Sequence, residues 1–214
     1  MPLILKVDQD PSRSEEVIRQ AAQLIVNGAV VAFPTETFYG LAALATADKA
    51  IEKVFLLKKR PDHKSLNILI AEMAELSGLV ETIPKEAHQL AVRFWPGPLT
   101  LVFDAAKHLP TRLTAGTGKI GVRISPHPVA QALVRAVGAP ITATSANLSG
   151  SPTCRSSSEV LAQLGSDLEV ILEAGLTPGT KVSTIADVTT CPPKILRIGA
   201  IAAQEVVSCW EASV

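Results

Sequence analysis

Two polar runs carry the chemistry of this chain. Pro34-Thr35-Glu36-Thr37-Phe38-Tyr39-Gly40-Leu41 follows the apolar stretch Ala29–Phe33, and Ser145-Ala146-Asn147-Leu148-Ser149-Gly150 follows Ile141–Ala143. Hydroxyls, an amide and glycines directly after buried, strand-like runs describe a concave surface built to hydrogen-bond a ligand. Lys58-Lys59-Arg60-Pro61 adds cations suited to an anion, the guanidinium as a planar fork and the ammonium as a point charge. Taken alone, cations closing a helix need do no more than complement its dipole. Here Arg60-Pro61 leaves the helix just before the strand Leu66–Ile70, which aims Lys58 and Arg60 over a strand end toward a solvent-facing cavity. Ser183 and Thr184 form a further polar strand edge. Arg123 and Arg197 each interrupt an apolar strand, and a buried arginine requires an anionic ligand or an internal carboxylate. Glu36 is suited to holding an amine or fixing a loop, and the alternation of Ser145, Asn147 and Ser149 predicts that all three line one wall.

Other chemistries leave no trace. The sequence has no HExxH, no nucleophile elbow, no Walker loop and no GxGxxG, and His63, His88, His108 and His127 are scattered. A protein nucleophile is therefore not favoured. What remains is catalysis by positioning and electrostatics, the strategy used where phosphoryl or nucleotidyl groups move. Cys154, Cys191 and Cys209 show no metal or disulfide pairing, and read as small buried hydrophobes in a reducing, cytoplasmic setting.

The elements that must position these residues read as α/β. A helix opens at a capping box, Ser12-x-x-Glu15, and stops at Gly28. Further helical patterns cover Asp48–Lys59, Lys85–Phe94, Pro128–Val137 and Ser158–Leu164. Strand-like runs fall at Ala29–Phe33, Leu66–Ile70, Leu99–Phe103, Ile120–Ile124, Ile141–Ala143, Leu168–Leu172, Thr184–Val188 and Ile195–Ile198. This predicts one domain over residues 1–214, a twisted mixed sheet with flanking helices. The 214 residues are 47% hydrophobic and 19% charged, with no membrane-length apolar run and no signal peptide at the N-terminus. With 20 basic and 20 acidic residues and 4% aromatics, an RNA-binding module gripping a backbone without chemistry is the weaker reading.

Six blocks then occur in order: Pro34-Thr35-Glu36-Thr37-x-Tyr39-Gly40-Leu41, Lys58-x-Arg60-Pro61, Trp95-Pro96-Gly97-Pro98-Leu99-Thr100, Val122-Arg123-Ile124-x-x-His127-Pro128, Ser145-x-Asn147-x-Ser149-Gly150 and Ser183-Thr184-Ile185-x-Asp187. Together, over roughly residues 12–199, the chain resembles the YrdC-like threonylcarbamoyl-AMP synthases. The resemblance implies an open, positively lined cavity in which L-threonine, bicarbonate or carbon dioxide, and ATP with Mg2+ become threonylcarbamoyl-AMP and pyrophosphate. The product would serve downstream tRNA threonylcarbamoyl-transferase proteins, with tRNA itself a further partner. It implies Lys58 and Arg60 as catalytic, and Lys58, Arg60, Lys64, Ser145, Asn147 and Arg197 as ATP contacts. Thr35, Thr100, Arg123 and Ser183 would surround the threonine or its carbamate, and no metal ligand is assigned to the protein. Ser65 stands where the family commonly has proline, Asn67 is an unusual polar residue in its strand, and the second domain of longer relatives is not expected.

Overall fold

A computed structural model describes residues 1–8 and 10–213. The chain runs β1 (Leu3–Lys6), α1 (Glu15–Val26), β2 (Val31–Phe33), β3 (Gly40–Ala42), α2 (Asp48–Lys58), β4 (Asn67–Leu69), α3 (Lys85–Phe94), β5 (Leu99–Asp104), α4 (Thr111–Thr114) and β6 (Lys119–Arg123). It continues through α5 (Pro128–Val137), β7 (Ile141–Thr142), β8 (Thr144–Ser145), α6 (Ser157–Leu164), β9 (Val170–Glu173), β10 (Thr184–Asp187), β11 (Lys194–Arg197) and α7 (Ala203–Glu211).

The strands divide between two mixed sheets, a five-stranded one ordered β1-β9-β2-β3-β8 and a six-stranded one ordered β11-β10-β5-β6-β4-β7. The single sheet read from the sequence breaks at Ala143, where the chain leaves one sheet and enters the other: Ile141 and Thr142 pair with β4, while Thr144 and Ser145 pair with β3. Thr142 binds the sheets together there, its hydroxyl donating to Leu41 O and accepting from Ala43 N, both at 2.9 Å.

Apolar periodicity locates the two cores. Ile18, Ala21, Ala22 and Ile25 of α1 pack with Val129, Leu133 and Val134 of α5 against Val31, Phe33 and Leu69. On the other side, Ile51, Val54 and Phe55 of α2, Leu90 of α3 and Trp210 of α7 close over Ile68, Leu99, Leu101, Ile120 and Val122.

Local chemistry sets several element ends differently from the sequence reading. α1 begins at Glu15 after Ser14, not at a Ser12 capping box: Pro11–Arg13 forms a 3-10 turn, and the Ser12 hydroxyl donates to Asp10. At the end of α2, Lys59 adopts a left-handed conformation (φ 49°), and its N–H and that of Arg60 close on Leu56 O and Phe55 O. Cys154 is buried as expected, but Cys191 is exposed, because it sits on the turn between β10 and β11 rather than in a core.

Truncating Phe103, 1% exposed within the six-stranded sheet, is expected to cost ~3–5 kcal/mol in urea unfolding. Leu56→Ala, on the 73% exposed outer face of α2, should change stability by less than about 0.5 kcal/mol. Similar losses in the two variants would contradict this division of the core.

Candidate functional site

A cavity of about 520 Å³ opens over one face of the six-stranded sheet. Strand alternation builds its floor. Along β6, Ile120 and Val122 enter the core while Lys119, Gly121 and Arg123 face the cavity. Thr100 and Val102 of β5 and Ile185 and Asp187 of β10 extend the same face across the sheet. The walls come from the loop after β2, the segment after α2, and Ser145 at the end of β8. Among the described residues, Arg60, His63, Lys64, Lys119, Arg123 and Arg197 line it against one carboxylate, Asp187.

Each fixed cation has its own tether. Arg60 leaves α2 through the left-handed turn at Lys59 and donates from Nε to Lys64 O at 3.0 Å and from a terminal nitrogen to Ser65 O at 2.6 Å. Two of its five N–H groups are thereby used, and the rest are available to a ligand. Arg123 pairs with Glu36, whose other oxygen accepts from the Ser125 hydroxyl. Of the alternatives the sequence allowed, Arg123 thus has an internal carboxylate and Glu36 fixes a loop. The pair joins the loop of one sheet to a strand end of the other. Arg197 donates to Ser183 O at 3.0 Å and to the Ser183 hydroxyl at 2.9 Å, which in turn meets Thr100 Oγ1 at 3.0 Å. Lys119 donates to Asp187 at 2.7 Å and to Thr189 at 2.6 Å. Burial alone would raise the Asp187 carboxyl, but the bonds from Lys119 and Thr189 hold it below the usual carboxylate range. Thr35, 3% exposed, donates from its hydroxyl to Phe38 O at 2.7 Å and accepts from Thr37 N at 3.1 Å. That closes the turn and sets the cavity-facing wall.

Arg60, Lys64, Ser145, Arg197, Thr35, Thr100, Arg123 and Ser183 therefore meet around one space. Two residues expected there do not line it. Lys58 does not face solvent: it is 1% exposed, and its ammonium donates to Ser145 O and, at 2.7 Å, to Asn147 O. Its position in the last turn of α2 turns it beneath the Ser145–Asn147 segment. Burial and then the neighbouring Arg60 push its pKa down to about 7. Asn147 is 5% exposed and donates its amide to Leu148 O at 2.8 Å and Ser151 O at 2.7 Å, folding the loop on itself. The alternating Ser145, Asn147 and Ser149 thus do not form one wall; only Ser145 reaches the cavity. Lys119 and His63 escaped the sequence reading. The signal for Lys119 was present in Lys119-Ile120-Gly121-Val122-Arg123, whose period-2 alternation puts both cations on one face.

Comparisons with known proteins bear on the family and the overall fold. The Sua5–YciO–YrdC family model, described as telomere recombination, matches residues 23–199. The threonylcarbamoyl-AMP synthase of Pyrococcus abyssi is 41% identical over 207 residues, covering 96% of this chain and 60% of that protein. That of Bacillus subtilis is 38% identical over 201 residues, covering 94% and 58%. This chain therefore spans about 60% of the length of these relatives. The structure of Pyrococcus abyssi Sua5 complexed with L-threonine superposes with a TM-score of 0.93 at 39% identity, covering 97% of this chain and 60% of that one. Escherichia coli YciO gives 0.87 at 27% identity, covering 97% and 100%.

The burial of Lys58 makes a pH-dependent prediction. With a folded pKa near 7 and an unfolded one near 10.5, the native state binds fewer protons than the unfolded state between those values. Stability from this group therefore rises with pH across that window. Thermal melts of wild type and Lys58→Met at pH 6.5 and 9 should show the wild type gaining on the variant at the higher pH. A flat or opposite difference would contradict the assigned environment.

Proposed function

This chain belongs to the Sua5–YciO–YrdC family, and from that premise we propose that it is a threonylcarbamoyl-AMP synthase. It carboxylates L-threonine with bicarbonate or carbon dioxide and transfers the AMP moiety of ATP to the carbamate, releasing pyrophosphate. The observation that carries this reading is the juxtaposition in one cavity of tethered cations with small hydroxyls. The cations suit a polyphosphate; Thr35, Thr100 and Ser183 suit a small amino acid.

The carbamate oxygen attacks the α-phosphorus, a new P–O bond forms, and the bond to the β-phosphate oxygen breaks as pyrophosphate departs. Both reactants are anions, so their approach is opposed by repulsion that fixed cations offset without reorganising. In this proposal Arg60, Lys64, Ser145 and Arg197 contact the nucleotide and its phosphates. Thr35, Thr100, Arg123 and Ser183 hold the threonine and its carbamate. Lys58 and Asn147 act one step back, by holding the Ser145 segment. Magnesium arrives as the ATP complex. Asp187, the one carboxylate lining the cavity among the described residues, is engaged by Lys119 and Thr189, so the phosphates would supply most of the ion's ligands. The product then serves threonylcarbamoylation of tRNA by separate transferase proteins.

Mass spectrometry of protein, MgATP, bicarbonate and L-threonine is expected to show threonylcarbamoyl-AMP and pyrophosphate, both absent without threonine. Folded protein that binds ATP and yields neither product would refute the proposal. Arg60→Ala should lower turnover roughly 10²-fold or more with an unchanged melting temperature, since its guanidinium is spent on loop carbonyls and ligand rather than on the core.

A further inference from the structure

The cavity floor holds a polar side chain, Asn67, to which the proposed roles assign nothing. Asn67 is the first residue of β4, between the segment carrying Arg60 and Lys64 and the strand carrying Arg123. It pairs with Gly121 of β6, and both face the cavity. The pairing is tight: a Cβ at position 121 would lie 2.3 Å from Asn67 Oδ1 and 3.1 Å from Thr100 Cγ2. A glycine at that point leaves room for the carboxamide to lie across the floor beside Thr100 (at ordinary contact distances any side chain at 121 would push it aside). The Asn67 carbonyl is used by Ala143 N at 2.8 Å, yet none of the hydrogen bonds among the described residues involves its carboxamide.

An amide group that faces a cavity, lies between two sets of cations and carries no protein partner is placed to bind ligand. Its charge narrows the choice. Phosphates and carboxylates are matched by the arginines and lysine on either side, whereas a neutral carboxamide sets an N–H of its NH2 group beside its C=O acceptor. A carbamate presents the complementary pair, an oxygen acceptor next to an N–H. It is also the group that must lie between the proposed nucleotide contacts and the proposed threonine contacts, because it joins them in the product. We propose that Asn67 hydrogen-bonds the carbamate of the substrate, donating from Nδ2 to a carbamate oxygen and accepting the carbamate N–H at Oδ1. This rests on the synthase reading above.

The test is steady-state kinetics of adenylate formation with Asn67→Leu, which keeps the branching at Cγ without the polar atoms, and with Asn67→Asp. Melting temperatures serve to verify folding. Losing a neutral hydrogen-bonding partner should raise the KM for bicarbonate and lower kcat by a combined factor of roughly three to ten, with the KM for ATP unchanged. Asn67→Asp should lose more, because an anion then faces the carbamate. A folded Asn67→Leu enzyme with wild-type constants, or one altered in its KM for ATP alone, would overturn the assignment while leaving the synthase reading intact. A wild-type protein that makes no adenylate would overturn both.

Discussion

Like charges gathered over one face of a sheet repel each other, most strongly where water is scarce, and the architecture of this protein answers that constraint. Four of the arginines and lysines lining the cavity are each fixed to an acceptor of their own. Arg60 is held by two loop carbonyls, Arg197 by Ser183, Lys119 by Asp187 and Arg123 by Glu36. The two carboxylates lower the field around the cations they pair with. The carbonyl tethers fix direction without cancelling charge. What remains is a preorganised positive surface whose cost was met on folding, which is the condition for stabilising an anionic ligand or transition state without further rearrangement.

One of these tethers also joins the two sheets. The Glu36–Arg123 pair spans from the loop after β2 to the end of β6, and Thr142 bonds both Leu41 and Ala43 where the chain changes sheet. Lys58 completes the frame from beneath, its ammonium on the carbonyls of Ser145 and Asn147. A buried ammonium satisfied by backbone oxygens organises a loop as firmly as a packed side chain does, and removing it leaves those oxygens unpaired.

Much of this was legible in the sequence because local rules and the fold agree. α3 and α5 have the limits their apolar periodicity predicts, and the turn after Lys58 follows from Pro61 and the polar run before it. Elements fixed by distant partners were not legible. β1 is a partly exposed Leu3–Lys6 segment that becomes a strand only by pairing with Val170–Glu173, and β8 is two residues long and exists because Gly40 and Leu41 lie beside it. In the site, residue type picked out Arg60, Lys64, Arg123 and Arg197, missed Lys119, and could not tell which of Lys58 and Arg60 faces the cavity. The left-handed turn at Lys59 decides that, sending Arg60 to the cavity and leaving Lys58 below the loop. Asn147 misled for a related reason: an Asx side chain bonded to its own loop has the same sequence pattern as one bonded to a ligand.

In the proposed reaction the tethered cations over the six-stranded sheet form the seat of the nucleotide. A crystal structure of the protein with L-threonine and a non-hydrolysable ATP analogue tests it most directly. The phosphates are expected within hydrogen-bonding distance of Arg60 and Arg197, with Lys58 still on the carbonyls of Ser145 and Asn147. Phosphates bound away from this cavity, or a Lys58 ammonium swung out onto them, would contradict it.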